Sequence, residues 1–474
     1  MATDWLDPAA FGGTQITEIS NDEQIQAALL DHKRMLLCVL DAILRRYERS
    51  PGYGFIDTKL SLVTGRDFQD DDPIRGRKVI YGWIQGRGLE ALAGHCNWLD
   101  QDRQIDDSLR WDLQLRTKRV IAEVLDHMEQ LRAANGGRLS FMMTPEGRPL
   151  KVGPDGRGIP HELPQGLPTS VSDMFYCKGM AAAARVLGDT ARLQEACNLF
   201  HEIYKDVLAG RYYSDQQPMD PRNPVAPVPG RFGHGSRMIG IGAAACFLEC
   251  TGDPAYTAVG LEFIDYVLSR HVNSRGPTTY GVPFDMWEFN DAQGRPFVED
   301  GMLRSDPGHA TEFVGLALKL IAKSEELCTI PESEYQRIER FKLNLPEVLK
   351  RNFANGLSPR GLGVCKAYDL IGRKPINDQM PWWNLPETLR GAVLAMKIAR
   401  TEELQMELAQ IAAVASNAFF RHFVRKELGL MAAQTLDPDG QVVDVIPATP
   451  DADPGYHTGL SVIDAIKAME AGPN

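Results

Sequence analysis

The chain has 474 residues, of which 43% are apolar and 24% charged, as is usual for a globular protein. Its formal net charge of −12 argues against nucleic acid or an anionic membrane as the main partner. The eight cysteines form no Cys-x-x-Cys pair, so we expect buried reduced thiols rather than disulfides or zinc ligands.

The N-terminus does not have the pattern of a secretion signal. It carries Asp4 and Asp7 and has no positive start followed by an apolar run. No stretch has enough uninterrupted apolar residues to cross a bilayer. We therefore expect a cytoplasmic protein. No linker divides the chain, so residues 1–474 are predicted to form a single domain, with 1–20 as an N-terminal extension.

Apolar residues recur at spacings of three and four, which predicts a mainly α chain of about twelve helices. In chain order the predicted helices cover about 22–49, 78–98, 106–134, 172–188, 189–208, 235–250, 254–272, 307 onward, 331–352, 382 onward, 401–428 and from 457. Turn residues predict hairpins at 145–148, 290–294 and 437–440.

Long loops and very short joints alternate along the chain, so every second helix follows a long loop. This alternation is typical of stacked helical hairpins. Six such hairpins closed into a ring would give an inner and an outer circle of helices. All long loops, with their short β-hairpins, would then lie on one rim, where a small molecule could be enclosed.

Four stretches near the starts of even-numbered helices carry candidate chemistry. His309 and Glu312 lie one turn apart, as in a proton-transfer pair, although a lone His-x-x-Glu is more often a buried histidine satisfied by its neighbours. The other three stretches contain Trp83 with Arg87, Trp383 with Glu387, and His457. Cation–π packing or a capped helix start would produce some of these patterns too, but in a ring all four would converge.

Taken together, these stretches resemble the N-acylglucosamine 2-epimerase superfamily, which includes cellobiose 2-epimerases and mannose or sulfoquinovose isomerases. The resemblance rests on Trp83-Ile84-Gln85-Gly86-Arg87, Ser172-Asp173-Met174-Phe175, Pro307-Gly308-His309 with Glu312, Trp382-Trp383 with Glu387, and His457. It implies an (α/α)6 barrel that epimerises or isomerises sugars through a cis-enediolate. His309 and His457 would be the acid/base pair, with Glu312 orienting His309.

The resemblance also implies substrate-binding roles. Arg87 would hold substrate oxygens, Trp83 and Trp383 would offer flat faces to the sugar, and Glu387 would accept hydrogen bonds from its hydroxyls. Tyr456 is a further position where the substrate could be recognised.

The family's histidine at the start of the sixth helix is missing near Ile239. His234 or Arg237 is expected to take its place on the same rim.

A homodimer is expected by family analogy. No residue cluster has metal-ligand spacing and no nucleotide-binding loop is recognisable, so we expect no metal and no cofactor, and a nucleotide effector is not indicated.

Two alternatives stay open. A glycoside or unsaturated uronyl hydrolase would need paired carboxylates, for example Asp173 or Asp285 opposite Glu387. A carbohydrate-binding scaffold without catalysis would leave both histidines without a role.

Overall fold

The computed structural model describes residues 4–17, 22–164, 166–219, 228–274, 281–445, 449 and 451–471. This part of the chain contains twelve α-helices: α1 Asp22–Glu48, α2 Gly82–Gln101, α3 Asp107–Ala134, α4 Val171–Leu187, α5 Thr190–Leu208, α6 Gly235–Thr251, α7 Ala255–Arg270, α8 Pro307–Glu326, α9 Tyr335–Gly356, α10 Asn384–Ile398, α11 Glu402–Ala418 and α12 Ser461–Glu470.

Fourteen short strands lie in the same described part of the chain: β1 Ile80–Tyr81, β2 Met142–Met143, β3 Pro149–Val152, β4 Gly158–Pro160, β5 Phe232–Gly233, β6 Phe289–Asn290, β7 Val298–Glu299, β8 Met302–Ser305, β9 Ala367–Asp369, β10 Lys374–Asn377, β11 Met380–Pro381, β12 Val424–Arg425, β13 Met431–Ala432 and β14 Thr435–Leu436. All are antiparallel, in two four-stranded sheets (β1-β2-β3-β4 and β10-β9-β8-β7) and the pairs β11–β14, β12–β13 and β5–β6.

The even-numbered helices form a closed inner ring. In order, α2 contacts α4, α4 contacts α6, α6 contacts α8, α8 contacts α10, α10 contacts α12, and α12 returns to α2. Each odd-numbered helix packs outside against at least one of them. Every strand lies in a connection that leads into an even-numbered helix. The predicted (α/α)6 barrel, with its loops and hairpins on one rim, is thereby confirmed.

Burial separates the two circles of helices. In α4 every residue from Val171 to Ala184 is buried, whereas α5 buries only one face. A helix that is apolar on all sides must be enclosed by other elements, and an amphipathic helix covers it from outside. The inner helices therefore provide a rigid wall for whatever the rim encloses.

The three predicted hairpin turns are present. The first joins β2 to β3, and the others are closed by the bridges of Asn290 with Pro296 and of Leu436 with Val442. Some predicted helix bounds are wrong. The ninth helix covers Tyr335–Gly356 rather than 331–352. The second helix begins at Gly82 rather than at residue 78, because β1 pairs with β2. The eleventh ends at Ala418 and continues as the π turn Phe419–Phe423, because β12 then pairs with β13.

The N-terminal residues 4–17 lie against the outer circle. Trp5 and Phe11 are buried, and the Phe11 ring packs edge-on against Phe420 at 6.2 Å. Phe11 thereby links this segment to the π turn that follows α11. No helix in the described ranges is long and apolar enough to span a bilayer.

The inner helices α2 and α4 approach each other at two glycines. A Cβ on Gly179 would lie 2.3 Å from the carbonyl oxygen of Gly86, and a Cβ on Gly86 would lie 2.5 Å from the carbonyl carbon of Phe175. Backbone atoms cannot give way as a flexible side chain can. The two helices can therefore only touch where neither has a side chain.

We expect Gly179→Ala to destabilise the protein by about 1–3 kcal/mol, because α4 must move away from α2 to admit the methyl group. Chemical denaturation measures this. Gly235→Ala is the control, since a Cβ there meets nothing within 4 Å. Equal stability of the two variants would contradict the close approach.

Candidate active site

His309 is the third residue of α8, and the start of that helix is firmly anchored. The carboxylate of Asp306 accepts hydrogen bonds from the backbone N–H groups of Gly308 and His309 at 3.1 and 3.2 Å. Pro307 fits the first helical position, where no N–H is needed. The anchored backbone fixes where the imidazole lies.

Glu288, from the loop before α8, bridges two imidazoles. Its Oε1 lies 3.1 Å from His309 Nδ1, and its Oε2 lies 3.2 Å from His234 Nε2. Asp306 Oδ2 lies 3.4 Å from the same Nδ1 and 2.6 Å from the Lys366 ammonium. His309 therefore has two carboxylates on one ring nitrogen.

These carboxylates set the protonation state of His309. Burial alone would lower its pKa, but Asp306 and Glu288 outweigh burial and raise the pKa to about 9. In turn, His309 and His234 hold the pKa of Glu288 well below its usual range, although burial acts in the opposite direction. A raised pKa favours the imidazolium form of His309 at neutral pH, and this form can donate a proton.

His457 lies in the π turn Tyr456–Leu460 that leads into α12. Gly455 enters this turn with a φ of +85°, a conformation that favours glycine. The Asp453 carboxylate accepts from the backbone N–H of Tyr456 at 3.0 Å and of Thr458 at 2.8 Å. A capped, tightly wound turn thus holds the second imidazole.

The Nδ1 atom of His457 also pairs with a carboxylate, Oε1 of Glu387, at 2.8 Å. Ser461 Oγ donates to the same oxygen at 2.7 Å, and the other oxygen is paired with Arg390. Arg390 and His457 hold the pKa of the buried Glu387 below its usual value, against the effect of burial. Glu387 is 1% exposed and lies beneath His457.

The Trp383 indole lies close to both imidazoles. Its ring centroid is 5.2 Å from that of His309, in a stacked arrangement, and 5.8 Å from that of His457. Because both rings lie this close to the same indole, the distance between the two imidazole centroids cannot exceed the sum of these two distances. The Trp383 ring contacts the two histidines and lies 5.1 Å from the Lys366 ammonium. The sequence had predicted that this ring would offer a flat face to the sugar.

The two histidines differ in exposure. The His309 side chain is 27% exposed and that of His457 7%, so the site opens on the His309 side. Among the described residues, no hydrogen bond engages Nε2 of either ring. Each imidazole thus has a carboxylate on Nδ1 and leaves Nε2 for a reacting molecule.

Glu312 interacts with both halves of the site. Burial and the charge of Glu387 raise its pKa, while His457 and His309 both lower it. Among the described residues, His309 Nδ1 has its hydrogen bonds with Glu288 and none with Glu312. Glu312 lies between the two imidazole–carboxylate pairs.

Trp83, Arg87 and Tyr456 form the wall beside His457. The Arg87 guanidinium lies 5.5 Å from the Trp83 ring and 5.3 Å from the Tyr456 ring. Trp83 is 6% exposed and donates its indole N–H to Asp215 at 3.4 Å. Arg87 thus occupies indole surface that we had expected to face a sugar.

Of the two replacements proposed for the missing sixth-helix histidine, His234 lies in the site and Arg237 does not. His234 shares Glu288 with His309, and their ring centroids are 5.9 Å apart. Arg237 instead places its guanidinium 3.6 Å from the Tyr266 ring on the outer helix α7.

Two groups of side chains could hold a metal ion. Ligand atoms of His234, Glu288 and His309 lie within 4.8 Å of one another, as do those of Glu312, Glu387 and His457. The sequence did not predict these groups, since the three members of each come from distant parts of the chain. Hydrogen bonds to histidine account for the position of Glu288 and Glu387.

The carboxylates of the hydrolase alternative are already engaged. Asp173 accepts from the backbone N–H groups of Leu139 and Ser170, both at 3.0 Å. Asp285 is fully buried and bonds to Arg373 and Asn355. Neither observation favours a hydrolase.

We expect Glu288→Gln to lower the pKa of His309 from about 9 toward its ordinary 6.5. Loss of one nearby negative charge should account for about one to two pH units. Titration of the imidazole resonances by NMR measures this, with the exposed Glu332→Gln as control. An unchanged pKa would mean that Asp306 alone keeps His309 protonated.

The sequence was also compared with known proteins. A sequence model of the family described as N-acylglucosamine 2-epimerase (GlcNAc 2-epimerase) matches residues 170–458. No curated protein matches the sequence.

Solved structures share the fold. A sugar epimerase from a ruminal bacterium is 14% identical with a TM-score of 0.63, over 94% of this chain and 99% of the other. Cellobiose 2-epimerase from Spirochaeta thermophila is 14% identical with a TM-score of 0.62, over 93% and 96%. A D-mannose isomerase is 14% identical with a TM-score of 0.56, over 90% and 97%. At such identity the likeness establishes the fold alone.

Proposed function

Because the chain belongs to the N-acylglucosamine 2-epimerase family, we propose that it is a sugar 2-epimerase or aldose–ketose isomerase that moves the proton at C2 between His309 and His457. The observation that carries this is the paired arrangement of the two imidazoles. Each is held at Nδ1 by a buried carboxylate, and both lie against Trp383. General acid–base catalysis requires such positioned groups.

The direction of the first proton transfer follows from charge. Asp306 and Glu288 raise the pKa of His309 to about 9, which favours its protonated form at neutral pH, so we assign the role of first base to His457. His457 takes the proton from C2, the C–H electron pair forms the C1–C2 double bond, and O1 gains negative charge. Arg87 lies beside this face and stabilises that charge. His309 then delivers its proton to C2 from the other side, which restores the carbonyl and gives the epimer.

Isomerisation uses the same intermediate. If His457 returns its proton to C1 and the proton on O2 moves to O1, the product is the ketose. In both outcomes the carbon-bound proton passes through an imidazole, where it exchanges with solvent.

The test is deuterium incorporation at C2. We would incubate the protein in D2O with mannose, glucose, N-acylhexosamines, cellobiose-type disaccharides and sulfosugars, and follow each by proton NMR. Loss of the C2 proton signal with appearance of an epimer or ketose is expected for at least one sugar. Sugar binding by calorimetry without any exchange would overturn the proposal in favour of a binding scaffold.

Three expectations accompany the proposal. We predict a cytoplasmic location, a homodimer, and activity that needs no cofactor and no metal ion. Analytical ultracentrifugation measures the assembly. Activity after exhaustive chelation tests whether either group of potential ligands has to hold a metal.

A further inference from the structure

A lysine lies buried inside the barrel, next to the Tyr456 side chain. Lys178 on α4 is 1% exposed, and its ammonium donates to the Tyr456 hydroxyl oxygen at 2.7 Å. It also lies 3.0 Å from Oε2 of Glu90 on α2. The same ammonium comes within 3.5 Å of the point where a Cβ would stand on Gly242 of α6. Three inner helices thus enclose one cation. Burying a charge is costly unless the charge is paired, and here Glu90 and the Tyr456 hydroxyl are its partners.

The hydroxyl hydrogen of Tyr456 is not used in its contact with Lys178. A lysine ammonium can only donate, so the Tyr456 oxygen accepts from it. The hydroxyl hydrogen of Tyr456 must then be donated elsewhere. Within the described residues no acceptor for this hydrogen is found, since the hydrogen bond at Tyr456 Oη is the one it accepts from Lys178. The phenol is therefore an available hydrogen-bond donor.

The position of Tyr456 makes that donor useful. Its ring centroid lies 4.8 Å from that of His457 and 5.3 Å from the Arg87 guanidinium. Phe175 packs against its edge at 6.1 Å. The phenol thus stands between the imidazole that takes the C2 proton and the cation that faces the sugar oxygens.

We propose that Tyr456 is a further catalytic residue, whose hydroxyl donates a hydrogen bond to the enediolate oxygen while Lys178 holds and polarises it. The inference rests on the proposed function and adds to it a second, uncharged donor for the developing charge. No covalent bond changes at Tyr456. Lys178 acts through Tyr456 and is a positioning residue.

The electrostatics agree with a neutral donor. Burial raises the pKa of Tyr456 to about 12, although Lys178 and Arg87 oppose that rise. Glu90 and Tyr456 together keep the pKa of Lys178 above its ordinary value, against the effect of burial. The phenol therefore keeps its hydrogen, and the ammonium keeps its charge, over the working pH range.

Tyr456→Phe is the main test, because it removes one oxygen and leaves the ring contacts with Phe175 and Arg87. With the sugar that exchanges fastest in D2O, we expect kcat to fall about 10²-fold, as for loss of one donor to an oxyanion, with KM within about threefold. Tyr176→Phe is the matched control, since that buried hydroxyl bonds to Glu129 away from the site. Unchanged kcat in Tyr456→Phe, with folding verified by thermal melting, would overturn the inference.

The role of Lys178 is tested by combining changes. Lys178→Met together with Glu90→Gln avoids an unpaired buried carboxylate. This double change is expected to lower kcat in the natural background but to cost little more in the Tyr456→Phe background. An equal loss in both backgrounds would mean that Lys178 acts independently of Tyr456. If His457→Gln abolishes exchange while Tyr456→Phe does not slow it, only this inference fails. Full exchange in His457→Gln would refute the proposed function itself.

Discussion

Replacing His457 with glutamine is expected to slow proton exchange at C2 by about 10²- to 10⁴-fold, the range typical for loss of a positioned acid or base. Glutamine keeps a polar group of similar size, and its amide can still pair with Glu387. It cannot accept a proton from carbon. His309→Gln should have a comparable effect on epimer formation, because the proton can then no longer be delivered from the second side.

The two variants should differ in an informative way. If His457 is the first base, His309→Gln should retain more exchange at C2 than product formation, since the proton still passes through His457. His457→Gln should lose both. His32→Gln is the control, because this histidine is also buried but lies on the outer helix α1 with its Nδ1 against the Ala28 carbonyl. Unimpaired turnover in either active-site variant would remove the two-histidine mechanism.

Most of the fold could be predicted because its signals are local. The α4 helix begins with a capping box between Ser170 and Asp173 and ends at Gly188 in the left-handed conformation, both readable from neighbouring residues. The end of α11 could not be predicted. Its apolar spacing continues through Phe423, and only the pairing of Val424 with Ala432, a contact made in the folded chain, stops the helix.

The residues of the candidate site differ in the same way: some follow from local signals in the sequence, and others depend on the complete fold. The convergence of His309, Trp383 and His457 follows from the ring of helices, since each lies at the rim end of an even-numbered helix. Glu288 had no such signal. It lies in irregular chain 21 residues before His309, at no helical spacing from it. Lys366 likewise comes from a loop, so its contact with Asp306 depends on the complete fold.

Glu312 illustrates what spacing alone leaves open. Its position one turn after His309 predicts a shared helix face, and the two side chains do influence each other's charge. Spacing does not say which neighbour approaches the imidazole from outside the helix. Glu288 and Asp306 take Nδ1, which leaves Glu312 between the two pairs.

Glu387→Gln is expected to affect stability and activity together. Its carboxylate pairs with Arg390 in the buried interior, and removing one partner of a buried ion pair typically costs about 3–5 kcal/mol. Among the described residues, Arg390 then keeps its longer ion pair with Asp464, at 3.6 Å. His457 loses the negative charge that holds its Nδ1–H, so kcat should fall by at least about tenfold. Denaturation and C2 exchange measure the two effects.

Adding Arg390→Met separates these two effects. The double variant replaces the charged pair by uncharged groups, which is often neutral for stability. Asp464 keeps its ion pair with Lys319 at 3.1 Å, so this carboxylate is not left without a cation. We therefore expect stability to recover in the double variant while C2 exchange stays as slow as in Glu387→Gln. If exchange recovered together with stability, the role of Glu387 would be structural and not catalytic. A carboxylate that His457 needs for catalysis would still be missing from the double variant, so restoring the fold could not restore exchange.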